Sequence, residues 1–265
     1  MKTEAIDDAT EIAPPARPIA RYSSSWSEIL ESLLITILLA LFGTTFVAQA
    51  YKIPSESMEP TLLVGDHLLV NKFIFGGNGA WYDKLLPYRD IRRGDIIVFL
   101  YPYSDHANYV KRVIGLPGDH LRIVHARVYI NGQPLVEPYV THDPLYADPF
   151  AENFPPAGES YLAFGLRSDW AHYLLTQVKN GEIVVPPHKY FVMGDNRDRS
   201  SDSRYWGFVD RDAVIGRPMF IYWSVRASDE DYANRGLAAT LHGMEQTLAH
   251  LPSRTRWNRM LKEIH

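Results

Sequence analysis

The first strong signal along the chain is a continuous apolar stretch. Twenty uncharged residues lie between Glu31 and Lys52, with Leu33-Leu34-Ile35-Thr36-Ile37-Leu38-Leu39-Ala40-Leu41-Phe42 among them. A helix of that length rises about 30 Å, the thickness of a bilayer core, which predicts a single transmembrane helix over residues 29–51. Residues 1–28 hold Pro14-Pro15, Pro18 and Ser23-Ser24-Ser25 with no apolar period, and read as a flexible N-terminal tail. Ala48-Gln49-Ala50 has the small-x-small form at which a secretory leader is cut. An uncleaved anchor fits better, because the apolar run exceeds a leader's core and a long polar segment precedes it in place of a short basic lead. Arg17 and Arg21 before the run weakly favour a cytoplasmic N-terminus, but Lys52 and Lys72 follow it, so charge decides little.

Beyond residue 52 the rhythm changes to short β-branched and aromatic runs: His67 to Ile74, Asp95 to Leu100, Tyr109 to Ile114, His120 to Val124, Arg127 to Ile130, Glu182 to Val185, Tyr190 to Met193 and Val214 to Trp223. These predict a mainly β fold with an antiparallel domain. Asn131-Gly132 and Asn180-Gly181 sit where tight hairpins need positive φ. Thr141 to Gly165, rich in Pro, Asp and aromatics without a period, reads as an insertion or long loop. Leu237, Leu241, Met244, Leu248 and Leu251 recur at helical spacing and predict a C-terminal amphipathic helix. The basic end, Arg254, Arg256, Trp257, Arg259 and Lys262, reads as solvated surface or as a contact for acidic lipid.

Composition narrows the chemistry. The 265 residues are 46% hydrophobic, enough for a full core, and the formal charge of −4 is interspersed, which argues against nucleic acid as a partner. With no cysteine, disulfides, thiolate metal sites and thiol nucleophiles are excluded. There is no His-Glu-x-x-His, no Gly-x-Ser-x-Gly and no Ser-x-x-Lys, so the zinc, elbow-serine and penicillin-binding arrangements find no support.

Just past the apolar stretch the chain reads Ile53-Pro54-Ser55-Glu56-Ser57-Met58-Glu59-Pro60-Thr61-Leu62. In an extended segment the hydroxyls of Ser55 and Ser57 share one side. A serine becomes a nucleophile only when a neighbouring base takes its proton. Lys111, on the run Asn108-Tyr109-Val110-Lys111-Arg112-Val113-Ile114, has apolar strand neighbours that would lower its pKa and free a neutral amine; Arg112 stays protonated and faces the other way. A third block, Gly194-Asp195-Asn196-Arg197-Asp198-Arg199-Ser200-Ser201-Asp202-Ser203-Arg204, is a dense polar loop. If it folds over a site, Asp202 and Arg204 are the obvious ion pair and Ser200 is free to orient an amine. Each block by itself also reads plainly, as a turn leaving a membrane, a basic pair on an edge strand, or solvated surface.

Taken in order, and together with Arg93-Gly94-Asp95-Ile96-Ile97-Val98-Phe99, these blocks resemble the motif set of the type I signal (leader) peptidases, over about Ile53 to Val209. The resemblance implies a membrane serine endopeptidase that removes signal peptides from exported pre-proteins after small residues of Ala-x-Ala type. Ser57 would be its nucleophile and Lys111 its general base, with Ser200 hydrogen-bonded to the lysine. Ser55 would complete the oxyanion hole, Asp202 and Arg204 would brace the loop, and Ile53, Pro54, Met58 and Val110 would line shallow pockets. It implies no cofactor and no metal, a monomer, pre-proteins and phospholipid as partners, and a single-pass protein of the bacterial inner membrane with its catalytic domain on the extracytoplasmic face. The chain then divides into a tail (1–28), the membrane helix (29–51), a catalytic β domain in two parts (52–130 and 190–226), an inserted subdomain (131–189) and a helical extension (227–265). Two positions depart from the family pattern: Arg199 stands where members often carry asparagine, and Glu56 where they often carry glycine. The alternative of a different class is a membrane-anchored binding module without catalysis, in which the polar loop recognises a partner.

Overall fold

A computed structural model describes residues 26–76, 88–104, 107–143, 145–146, 148–156, 166–226 and 252–265. Two units divide at Leu41 and Phe42. The first carries helix α1 (Trp26–Phe42), with Glu28 in its first turn, where the helix dipole favours an acid. None of its residues is buried, and Leu33, Leu38 and Leu39 stand exposed. Its 17 residues rise about 25 Å. Among the described residues no helix is long and apolar enough to cross a membrane.

The helix expected over 29–51 needs correction at its far end. Gly43–Val47 loosens into a single wider π turn, and Ala48–Lys52 forms strand β1. Gly43, Thr44, Thr45 and Val47 are weak helix formers, so the apolar run continues through a segment whose backbone preference has already changed. Ala48-Gln49-Ala50 is consequently held in a sheet, with Ala50 opposite Leu69.

The second unit is built on β1, β2 (Asp66–Asn71), β3 (Ile96–Leu100), β4 (Asn108–Gly115), β5 (His120–Val124), β6 (Arg127–Ile130), β7 (Gln133–Pro134), β8 (Ile183–Val184), β9 (Lys189–Met193), β10 (Val209–Asp210), β11 (Val214–Ser224) and β12 (Lys262–Glu263). The helices α2 (Pro149–Glu152), α3 (Ser168–Gln177) and α4 (Ser203–Trp206) are short. An eight-stranded antiparallel sheet runs β1-β2-β11-β3-β4-β9-β10, with β12 added to β11. Strand β3 shows why the central strands read as unbroken apolar runs: Ile96 and Val98 enter one core cluster with Leu68 and Val70, while Ile97 and Phe99 enter another with Val113 and Trp206. The sheet is thus covered on both faces at its centre.

A smaller sheet, β7-β6-β5-β8, packs Leu121, Ile123 and Val128 against Trp170 and Leu174 of α3. It starts at His120, ahead of the boundary at residue 131 expected for an insertion. Asn131 and Gly132 turn β6 into β7 with φ of 50° and 78°, and Asn180 and Gly181 do the same between Lys179 and Glu182 with 55° and 73°. The stretch after Thr141 is more ordered than expected: Asp148 caps α2 by accepting the Phe150 N–H at 2.7 Å, and Pro149 stands at the helix start. α3, also unexpected, buries Trp170, Ala171 and Leu174 at helical spacing. The helix expected over Leu237 to Leu251 lies outside the described residues.

Within the basic end, Trp257 and Lys262 are exposed as a surface reading expects, but Arg256 and Arg259 depart from it. Arg259 donates to both oxygens of Asp66, at 3.2 and 2.6 Å, and Arg256 donates to the Val64 carbonyl at 3.0 Å. Asp66 is fully buried and also accepts from Ser224 Oγ at 2.6 Å and the Leu63 N–H at 2.8 Å. This cluster ties the final residues to β2 and β11. Removing the cation leaves a buried carboxylate uncompensated, so Arg259→Met is expected to cost about 3 kcal/mol in urea unfolding. A loss under about 1 kcal/mol would mean that Arg256 or water takes over the charge.

Candidate active site

The segment after β1 is extended only as far as Ser55, whose φ and ψ are −135° and 159°. Glu56–Met58 then closes a 3-10 turn, so the two serines do not lie on one strand face as expected. The turn nevertheless brings Ser55 Oγ to 3.5 Å from Ser57 Oγ, a contact too long for a strong hydrogen bond. Ser55 is exposed and Ser57 buried.

Lys111 comes from the middle of β4, opposite Ile97 of β3. Its Nζ lies 2.6 Å from Ser57 Oγ, and its side chain passes 5.6 Å from the Tyr109 ring. Burial draws the amine down from its usual 10.5 to about 8. The carboxylate of Asp202 pulls the other way, and Arg204 opposes Asp202. The cleft over this pair encloses about 430 Å³ and is lined by Ile53, Pro54, Met58 and Val110, with Tyr51 and Tyr109 further along.

The polar loop after β9 supplies the surroundings. Arg204 and Asp202 form a bidentate pair at 2.8 and 2.9 Å, both fully buried. Burial alone would raise the Asp202 carboxyl, yet Arg204 outweighs it and holds it below the usual range. Asp202 also accepts the Gly194 N–H at 3.1 Å. No hydrogen bond joins Ser200 to Lys111; Ser200 Oγ is buried without a partner of good geometry, close enough to Asp202 to help hold that carboxylate ionised. The Asn196 N–H donates to the Ser57 carbonyl at 3.2 Å, fixing the loop to the serine turn. Glycine is required at 194, because a Cβ there would overlap both the Ser57 carbonyl oxygen and Ser200 Oγ.

Several supporting residues escaped sequence reasoning. Arg112, on the reverse face of β4 from Lys111, forms a buried bidentate pair with Asp195 at 2.8 and 2.7 Å and lies 3.9 Å from the centre of the Tyr139 ring. Arg197 pairs with Glu137, and Asp148 stands 3.2 Å from the second side of Arg204. The only available signal was the need of each charge in the loop for a partner, which does not say which partner. The two departures from the family pattern meet each other: Arg199 Nη1 donates to Glu56 Oε1 at 2.9 Å, and its Nε donates to Asp143 at 2.7 Å.

Fold and site together define a mainly antiparallel β protein with a serine and a lysine in contact beneath an open cleft. Residues 26–223 match the family described as "Signal peptidase, peptidase S26". The chain is 34% identical over 207 residues to a probable signal peptidase I-2 of Synechocystis, spanning 76% of this chain and 75% of that one. It is 34% identical to the signal peptidase I of Pseudomonas fluorescens, over 85% of this chain and 76% of the other, and 36% identical to that of Leptolyngbya laminosa, over 84% and 94%. The chain belongs to the signal peptidases of peptidase family S26 and is a serine endopeptidase of the signal peptidase I type.

Gly194→Ala is expected to push the loop away from Ser57, and a displacement near 1 Å at a reacting group costs about 100-fold in rate. Peptide hydrolysis by the purified variant checks this. Unchanged kcat/KM would mean that the loop yields without moving the serine.

Proposed function

We propose that this protein removes N-terminal signal peptides from exported pre-proteins by acyl transfer through Ser57, with Lys111 as general base and then general acid. The observation that carries the reading is the 2.6 Å contact between a buried lysine amine and a buried serine hydroxyl. The neutral amine accepts the Ser57 proton as Oγ attacks the scissile carbonyl. The oxyanion is received by the Ser57 N–H and the Ser55 hydroxyl. The Lys111 ammonium returns the proton to the departing nitrogen as the C–N bond breaks, and a water molecule, deprotonated by the same amine, hydrolyses the ester. Asp202 and Arg204 act as a brace for the loop, and Ser200 as a dipole beside it.

Ile53, Pro54, Met58 and Val110 give the cleft an apolar lining that suits uncharged side chains, and cleavage after Ala-x-Ala is the specificity read for it. β1 ends the larger sheet, and its last two residues with Ile53 to Ser55 line the cleft together with Asn108 to Lys111, so a substrate segment enters extended between them. The wholly exposed apolar surface of α1 favours an apolar environment for that helix, and we infer that it anchors the protein to the bacterial inner membrane. The N-terminus would be cytoplasmic and the site extracytoplasmic. The enzyme is read as a monomer that uses neither metal nor cofactor.

Ser57→Ala and Lys111→Met should each lower cleavage of an Ala-x-Ala peptide by about 10² to 10⁴-fold, the share of a general base or more. Processing that survives both substitutions would favour the non-catalytic binding reading. Because the amine must be neutral, kcat/KM should climb about tenfold per pH unit below 8 and level off above it. A rise centred near pH 6.5 would point to a histidine base.

A further inference from the structure

Arg199 and Ser201 line two cavities at once. One is the cleft over Ser57. The other, of about 490 Å³, is walled by the rings of Tyr101, Tyr146, Tyr205 and Trp206, and Ser200 also lines it. Most charged groups on its wall are already engaged: Asp148 by the buried Arg204 at 3.2 Å, Asp198 by His142 at 3.2 Å, Arg167 by Asp169 at 3.2 Å, and Glu56 by Arg199 at 2.9 Å. Arg199 is shared further: Glu56 and Asp143 both hold it, and its guanidinium carbon lies 5.4 Å from the centre of the Tyr146 ring. This clamp therefore carries one excess negative charge, and its acids are partly exposed. It begins at the residue next to Ser57, where the two cavities adjoin.

An extended peptide advances about 3.3 Å per residue. A substrate whose acyl side fills the first cavity and whose carbonyl lies at Ser57 reaches the clamp within its next residues. We propose that the aromatic cavity receives the first or second residue after the scissile bond and favours a basic side chain there, with the Glu56–Arg199–Asp143 clamp as the specificity-determining element. The stem of such a side chain lies along the rings, and its cation meets both the ring faces and the excess carboxylate. This rests on the serine–lysine reading and adds to it a substrate feature on the leaving side.

The test uses quenched peptides identical through Ala-x-Ala that carry Lys or Asp at the first or the second position after the bond, with kcat/KM measured at pH 8. Lys should exceed Asp by about fivefold at one of the two positions, the scale of a partly exposed charge contact. In Glu56→Gln and in Tyr146→Ala that ratio should fall below about twofold. Because the ratio is taken within each preparation, a partly folded variant does not distort it. Equal cleavage of Lys and Asp peptides, or preference for Asp, overturns the proposal and leaves the serine–lysine reading intact. A ratio unchanged in both variants overturns the assignment of the cavity and clamp. Failure to cleave any of the peptides overturns both.

Discussion

The structure turns on keeping one lysine amine out of water beside a serine hydroxyl. An unpaired carboxylate near Lys111 would restore its charge and rule out the role of base proposed for it. The loop after β9 brings two acids close, Asp202 and Asp195, and each is engaged by an arginine of its own, Arg204 and Arg112. The pull of Asp202 on the amine is opposed by Arg204, which leaves burial to set the outcome. Two buried ion pairs are a costly device for stability. Here they give rigidity around the amine without giving the amine a counterion.

The surrounding architecture follows from that requirement. β4 presents Lys111 to the cleft and Arg112 to the opposite side, so one strand both places the proposed base and anchors the loop beside it. Gly194 lets that loop lie against the serine turn with no side chain between them. At the other end of the sheet, Asp66 gathers Ser224, Arg256 and Arg259, so the last residues of the chain secure β2, the strand that pairs with β1 directly ahead of the serine segment.

What the sequence revealed and what it hid divide along the range of the interactions. Asn-Gly hairpins and the apolar run of β2 depend on neighbours a few residues away, and they read directly. The strand that carries Lys111 read equally well, since its apolar flanks are local. The Arg112–Asp195 pair spans 83 residues and the Arg259–Asp66 pair 193, and no local pattern marks either. β1 was hidden for a different reason: its alanines and tyrosine prolong an apolar run, so hydropathy merged it with α1 although the backbone preference changes at Gly43. α3 was overlooked because its buried stripe of Trp170, Ala171 and Leu174 spans little more than one turn, too short for a helical period to stand out. The partnership of Glu56 with Arg199 was visible only as two separate departures from a family pattern.

The central claim is about the state of one nitrogen, and titrating it directly is the sharpest test. With lysine labelled at Cε and Nζ, the Lys111 resonance, assigned by its loss in a Lys111→Met control, should titrate with a midpoint of about 8 in the folded protein. A midpoint that stays near 10.5 would mean an amine charged and hydrated throughout the working range, and would contradict the account.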